Sequence, residues 1–445
     1  EDISISSSPS GSSSNNTTIA LGQTFQYQVT TTGTYSGTIT YSLSNHPEGM
    51  TISSSGLIEW TPTEEGQIKT YSNITITITT ASGYVLTQTF DLTVSASSSN
   101  TISGGAEHNC IVLDNGSVKC WGRAGKLGID NNTTMGDGPG EMAALPTINL
   151  GTGRTAKSIT SGAYHNCVVL DDGSAKCWGE NSYGQLGIDN STNMGDGPGE
   201  MAALPTINLG TGRTATAISA KRYHTCALLD NGSVKCWGYN NNGQLGIDNR
   251  TDMGDNTGEM AQLAGINLGT GRTAIAIAAG DHQSCAVLDD GSVKCWGLNN
   301  YGQLGIDNRT YMGDNSSEMA SLPSINLGTG RTAKAVSAGL FHTCALLDDG
   351  TVKCWGYNLR GQLGIDNTTT MGDGAGEMAQ LTGINLGTGR TATSIAIGNT
   401  HSCAKLDNGA VKCWGRNNMG QLGIDNTTDM GDDPGEMASL PSVNL

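Results

Sequence analysis

Cys110-Ile111-Val112-Leu113-Asp114-Asn115-Gly116-Ser117-Val118-Lys119-Cys120 decides the architecture of this chain. An apolar run, an Asp-Asn-Gly turn and a second run make a β-hairpin. With a three-residue loop and Gly116 in the left-handed position of a G1 bulge, Leu113 faces Ser117, Val112 faces Val118 and Cys110 faces Cys120. A two-residue turn would misalign the cysteines by one. Opposed cysteines on adjacent antiparallel strands lie within disulfide reach. The same spacing predicts five more pairs: Cys167 with Cys177, Cys226 with Cys236, Cys285 with Cys295, Cys344 with Cys354 and Cys403 with Cys413. No odd cysteine is left.

Regular pairing of this kind points to an oxidising compartment, so an extracellular or cell-surface protein is expected. The chain starts Glu1-Asp2 without Met, as a product of signal-peptide removal or a piece of a larger precursor would. No apolar run approaches the roughly 20 residues of a membrane span, so no membrane insertion is expected. Net charge is −17 with only 23 Lys and Arg. No basic cluster exists, which argues against a nucleic-acid partner. Acidity of this degree attracts divalent cations.

Residues 1–16 form a Ser/Gly/Asn-rich tail in which Asp2-Ile3-Ser4-Ile5-Ser6 alternates like a short strand. Two readings stand: a strand donated to a neighbouring subunit, giving self-association through the tail or the domain behind it, or a first strand of the chain's own domain. Residues 17–97 contain the alternating segments Phe25–Val29, Ile39–Leu43, Met50–Ile52, Ile74–Thr79 and Leu86–Val94, which predict a cysteine-free β-sandwich. A linker at 98–100 precedes six repeats over 101–445. Equivalent cysteines fall 57 residues apart at the first step (110 to 167) and 59 at each later one. Such a period, with strand pairs and Gly-rich turns, indicates propeller blades or a β-solenoid. The phase of the ends favours a closed six-bladed β-propeller, with Thr101-Ile102-Ser103-Gly104-Gly105 completing the last blade. The fold class is all-β.

Two resemblances add to this. Glu48-Gly49-Met50-Thr51-Ile52 through Gly56-Leu57-Ile58-Glu59-Trp60-Thr61-Pro62-Thr63 resembles the immunoglobulin-like, cadherin-like modules of bacterial surface proteins, which implies a spacer in a stalk. The repeat His165-Asn166-Cys167-Val168-Val169-Leu170-Asp171-Asp172-Gly173-Ser174-Ala175-Lys176-Cys177-Trp178-Gly179, followed by Gly184-Gln185-Leu186-Gly187, resembles the regulator-of-chromosome-condensation repeat in its secreted, cysteine-bearing bacterial variety. That resemblance implies a β-propeller with four-stranded blades. Nuclear members have seven shorter blades and act in nucleotide exchange and chromatin binding. Paired cysteines and strong acidity argue against both roles here, so the resemblance transfers architecture and not activity.

Against disulfides stands a zinc reading with His108, Cys110 and Cys120 as ligands, but Gln283 occupies the histidine position of the fourth unit. The histidines His108, His165, His224, His342 and His401 read as packing residues. Trp121, Trp178, Trp237, Trp296, Trp355 and Trp414 read as interblade core.

Each unit also carries two Asp and one Glu in a Gly-rich connection. They are Asp130, Asp137 and Glu141; Asp189, Asp196 and Glu200; Asp248, Asp255 and Glu259; Asp307, Asp314 and Glu318; Asp366, Asp373 and Glu377; and Asp425, Asp432 and Glu436. Turn caps and salt bridges, some to Arg154, Arg213, Arg272, Arg331 and Arg390, are the first reading, and a Ca2+ site is the alternative. No cofactor is required. The same loops place Asn-x-Ser/Thr acceptors for N-glycosylation at Asn131 or Asn132, Asn190, Asn249, Asn308, Asn367 and Asn426, which also suit turns.

The units differ most at Tyr164, Arg222, Tyr223 and Phe341 before the first cysteine, and at Tyr183, Tyr239, Tyr301, Tyr357 and Arg360 after the tryptophan. Variable tips on a repeated scaffold make a binding face, unless they merely drift. No nucleophile elbow, phosphate loop or metal-hydrolase helix is present, so an enzyme is not expected. The leading expectation is a non-catalytic extracellular structural or adhesive appendage, such as a filament subunit. The alternative is a secreted binding module capturing a protein or glycan on the variable face.

Overall fold

The hairpin has the register its turn requires. Strands His108–Val112 and Val118–Gly122 pair antiparallel with Cys110 opposite Cys120 and Val112 opposite Val118. The Leu113 N–H donates to the Ser117 carbonyl, and Gly116 turns the chain at φ 75°. This is a computed structural model, which describes residues 2–7, 16–20, 24–62, 64–67, 69–95 and 101–444. The expected linker 98–100 and tail residues 8–15 lie outside them.

All six cystines are closed. Cys110 bonds to Cys120, Cys167 to Cys177 and Cys226 to Cys236. Cys285 bonds to Cys295, Cys344 to Cys354 and Cys403 to Cys413. Their Cα–Cα distances of 4.0–4.1 Å are those of directly opposed residues, and the bonded sulfurs are not zinc ligands.

The chain divides into two compact units, Glu1–Asn100 and Thr101–Leu445. In the second, each repeat is a three-stranded antiparallel blade. Blade 2, for example, runs Ala156–Ser161, His165–Leu170 and Ala175–Gly179. The four-stranded blades implied by the resemblance are therefore corrected. In the fourth position only one residue pairs, Gly179 with Met194, through reciprocal bonds of 2.8 and 3.1 Å. The reason is local. Asp189 takes φ 58°, and the Asn190 Oδ1 accepts the Thr192 N–H in a tight turn, so this segment cannot extend.

The expected ring closure by the first strand is also corrected. Thr101–Gly104 pairs with His108–Val112 of its own blade, because three residues suffice to turn it back onto that neighbour.

Blades meet through a repeated joint. Trp178, Trp237, Trp296, Trp355 and Trp414 are fully buried, each over a glycine of the preceding blade. At Gly187, φ is +67° and an added Cβ would sit 2.7 Å from the Trp237 indole nitrogen, so only glycine fits. Some polar groups pair across the joint, while the Nδ1 of His165 and the Nε2 of Gln185 stay buried without a partner among the described residues. His165 Nε2 donates to the Thr225 hydroxyl (2.8 Å), which donates to the Gln185 carbonyl (2.9 Å). The same carbonyl accepts the Trp237 indole N–H at 3.1 Å. Asp189 Oδ1 accepts the Met260 N–H of the next blade at 2.8 Å.

The first unit is an Ig-like sandwich. One sheet orders Asn16–Ala20, Val85–Ser95, Thr70–Thr80 and Ile39–Ser44; the other orders Phe25–Gln28, Leu57–Trp60 and Thr51–Ile52. Alternate residues of both, including Ile58, Ile74, Ile76, Ile78, Phe90 and Leu92, close a dry core. Strand Asp2–Ile5 pairs with Thr31–Thr34, burying Ile3. Residues 2–5 are thus paired within their own domain, as the second of the two expected readings has it.

Candidate functional site

The two variable loop positions converge on one set of rings. In blades 2 and 3, Tyr183 packs edge-on against Tyr223 (centroids 5.1 Å apart) and Tyr239 (4.9 Å), and Tyr164 stacks on Tyr223 at 5.5 Å. Blades 4 and 5 repeat this arrangement. Tyr301 meets Phe341 at 5.1 Å and Tyr357 at 4.9 Å, while His282 stacks on Phe341 at 6.1 Å. Interplanar angles match as well, 60° and 65° in the first cluster against 55° and 63° in the second. All eight rings are half-buried. Offset and edge-to-face pairs of this kind hold each ring in one orientation.

Cations border the first cluster. Arg222 lies over the Tyr223 ring and Lys126 over Tyr164. The Tyr164 phenol is held above its ordinary pKa, first by Tyr223 beside it and then by burial. Beyond the second cluster, exposed Arg360 pairs with Asp429 at 3.4 Å. In blade 1 the corresponding positions hold Glu107 and Arg123, paired at 2.7 Å, so no rings extend there.

Inside the loops lies an axial cavity of about 630 Å³, lined by turns from all six blades, among them Ala106, Ala163, Lys221, Asp281, Leu340 and Asn399. Burial pushes the Lys221 amine below its usual pKa, and Asp281 opposes the shift.

The acidic connections are arranged for N–H donors. Glu200 Oε2 accepts the amides of Gly195, Asp196 and Gly197 at 2.8, 3.0 and 2.8 Å. Glu141, Glu259, Glu318, Glu377 and Glu436 repeat this nest. Asp130, Asp189, Asp248, Asp307 and Asp366 each hold the methionine amide of the next blade. Asp314 and Asp373 pair with Arg250 and Arg309. Among the described residues no three His, Cys, Asp or Glu side chains are grouped as metal ligands would be. Arg154 and its equivalents pair with hairpin-turn carboxylates such as Asp171 and Asp172, not with these loops. Asn190, Asn249, Asn308, Asn367 and Asn426 are exposed and cap their own turns; in blade 1 that geometry belongs to Asn131 and not to Asn132.

His165, His224 and His342 are fully buried, and burial lowers each pKa to about 3, which keeps them neutral. They are joint residues, as the sequence indicated. His282 is the one the sequence reading undervalued. Its one-residue offset from the other histidines was the signal, because it places the imidazole where Tyr164, Tyr223 and Phe341 stand. Lys126 escaped because the other five units carry glutamine at its position, as at Gln185.

A disulfide-braced repeat propeller with a clustered aromatic loop face is the class these features define. The chain carries six copies of the Regulator of chromosome condensation (RCC1) repeat, matched at residues 100–126, 156–185, 215–244, 274–303, 333–362 and 392–421, behind an Ig domain of the He_PIG family matched at 7–95. It is 27% identical over 334 residues to the Ultraviolet-B receptor UVR8 of Arabidopsis thaliana, covering 74% of this chain and 68% of that protein. It is also 27% identical over 343 residues to the human E3 ubiquitin-protein ligase HERC2, covering 76% of this chain but only 6% of HERC2. Among solved structures, human WBSCR16 aligns with a TM-score of 0.59 at 19% identity, covering 78% of this chain and 82% of that one. Yeast RCC1 (Prp20), bound to Kap60, aligns with 0.59 at 18%, covering 77% and 74%. These structures speak to the fold alone.

Proposed function

We propose that this chain is an extracellular, non-catalytic binding protein whose propeller captures a protein or glycan ligand on its aromatic face. One observation carries the reading: two four-ring clusters of matching geometry, built independently on blade pairs 2–3 and 4–5. Drifting positions would not reproduce the same distances twice. Rigid, half-exposed tyrosines flanked by Arg and Lys are the composition of binding hot spots. One relative is by name a receptor, the Ultraviolet-B receptor UVR8, which is in keeping with a binding role. Six cystines support the extracellular placement. The appendage reading keeps the Ig-like module as spacer.

The test is capture on arrayed glycans and extracellular proteins by the wild type and by a triple variant combining Tyr223→Ala, Tyr239→Ala and Phe341→Ala. Loss of at least tenfold in affinity with the melting temperature nearly unchanged supports the reading. Equal binding by the variant refutes it.

A further inference from the structure

One position of the inner turns breaks the repeat. Gly105, Gly162, Gly280, Gly339 and Gly398 hold it in five blades, and blade 3 has Lys221. The glycines are needed because the turns crowd round the axis. An added Cβ at Gly105 would sit 2.5 Å from the Gly162 carbonyl oxygen, and one at Gly339 2.6 Å from the Gly398 carbonyl oxygen. Blade 3 admits its side chain by loosening: the Lys221 N–H reaches the His224 carbonyl at 3.2 Å, where the five glycines make the equivalent bond at 2.8–3.0 Å. Local cost of this kind is concentrated at functional positions. The Lys221 ammonium lies near the axis. After burial, its charge is among the causes that lower the pKa of His342 in blade 5 and of His401 in blade 6. Among the described residues neither Lys221 nor the adjacent Arg222 makes a salt bridge, whereas nine other arginines do. In a chain of net charge −17, the cavity wall thus sets these two cations against one carboxylate, Asp281.

We propose that the axial cavity binds an acidic sugar, whose carboxylate meets Lys221 and Arg222 and whose hydroxyls meet Asp281 and Asn399. The inference rests on the glycan reading of the aromatic face and deepens it. Its volume of about 630 Å³ is that of a small-ligand site. A bound carboxylate offsets the burial that holds the Lys221 amine below its usual pKa. Tyr164 and Arg222 line the cavity and also belong to the first ring cluster. A saccharide can therefore seat its acidic residue at the axis and lay the next ring on tyrosine faces. Ser161, Asn399, Thr400 and Gln421 along the wall are partners for sugar hydroxyls. A peptide C-terminus shares the carboxylate but not the hydroxyls.

Isothermal titration calorimetry on the full chain tests this, with D-glucuronic acid and N-acetylneuraminic acid as probes and D-glucose, acetate and triglycine as controls. Two variants are compared with the wild type: Lys221→Gly, which restores the residue of the other five blades and so preserves the turn, and Arg222→Gln. The expected result is that an acidic sugar binds the wild type about tenfold or more tightly than any control. Either substitution removes that margin while the melting temperature holds or rises. Binding of neither acid, equal or tighter binding of glucose, acetate or triglycine, or an undiminished margin in both variants overturns the proposal. The same variants go onto the glycan arrays used for the aromatic face. If Lys221→Gly captures the glycans that the triple aromatic variant loses, this inference falls and the aromatic-face reading stands; if both variants capture as the wild type does, both fall.

Discussion

Replacing Asp307 by alanine removes one interblade bond and leaves the buried Met378 amide without an acceptor. A hydrogen bond to a charged acceptor contributes about 1.5–3 kcal/mol. The substitution also places alanine at φ 56°, which costs on the order of 1 kcal/mol. Asp425→Ala is the internal control. It incurs the same backbone cost at φ 60° but breaks no joint. The difference between the two variants therefore isolates the joint, at about 1.5–3 kcal/mol. At about 2 °C per kcal/mol for a large unit, Asp307→Ala melts about 3–6 °C below Asp425→Ala. Differential scanning calorimetry at fixed pH measures it. Equal losses in the two variants would show that this Asp does not lock blades and would refute the reasoning.

Acid is a second lever. His165, His224 and His342 are neutral in the folded state, with pKa values lowered to about 3, whereas the unfolded chain takes up protons below about 6.5. Stability is therefore complete above about pH 6.5 and falls as pH drops towards 3, by about 1.4 kcal/mol per pH unit for each histidine. Changing the three to glutamine, which blade 4 already carries as Gln283, should flatten the melting profile between pH 6.5 and 4; a flat wild-type profile contradicts the assignment. Replacing Cys285 and Cys295 together by alanine should cost about 2–3 kcal/mol for the short loop it opens, read by urea unfolding. Unreduced wild-type protein should show no titratable thiol, and reactive thiols would sink the oxidised reading.

Local chemistry made the hairpins legible. One Asp-Asn-Gly turn and a ten-residue cysteine spacing admit a single register, and the structure has it. The same register carries through the other blades, where Cys226 faces Cys236, Cys285 faces Cys295, Cys344 faces Cys354 and Cys403 faces Cys413. Long-range features were less so. The fourth strand failed because Asp189 and Asn190 favour turns over extension, a preference that a family pattern of four strands concealed. Ring closure was argued from repeat phase alone, yet pairing went to the strand three residues away. In the acidic loops, composition shows oxygens but not the amides that Glu200 gathers around itself. The aromatic face was legible as variable positions, while its pairing across blades needed the fold, since Tyr183 and Tyr223 lie in different repeats.

Every sulfur bridge lies within a blade and none between blades. Mechanical load along the chain would accordingly part the molecule at its hydrogen-bonded seams, one cassette at a time. Each freed cassette keeps a covalently closed loop that cannot extend. A tether anchored through the Ig-like module would yield in steps of nearly equal length, dissipating force without losing its hairpins.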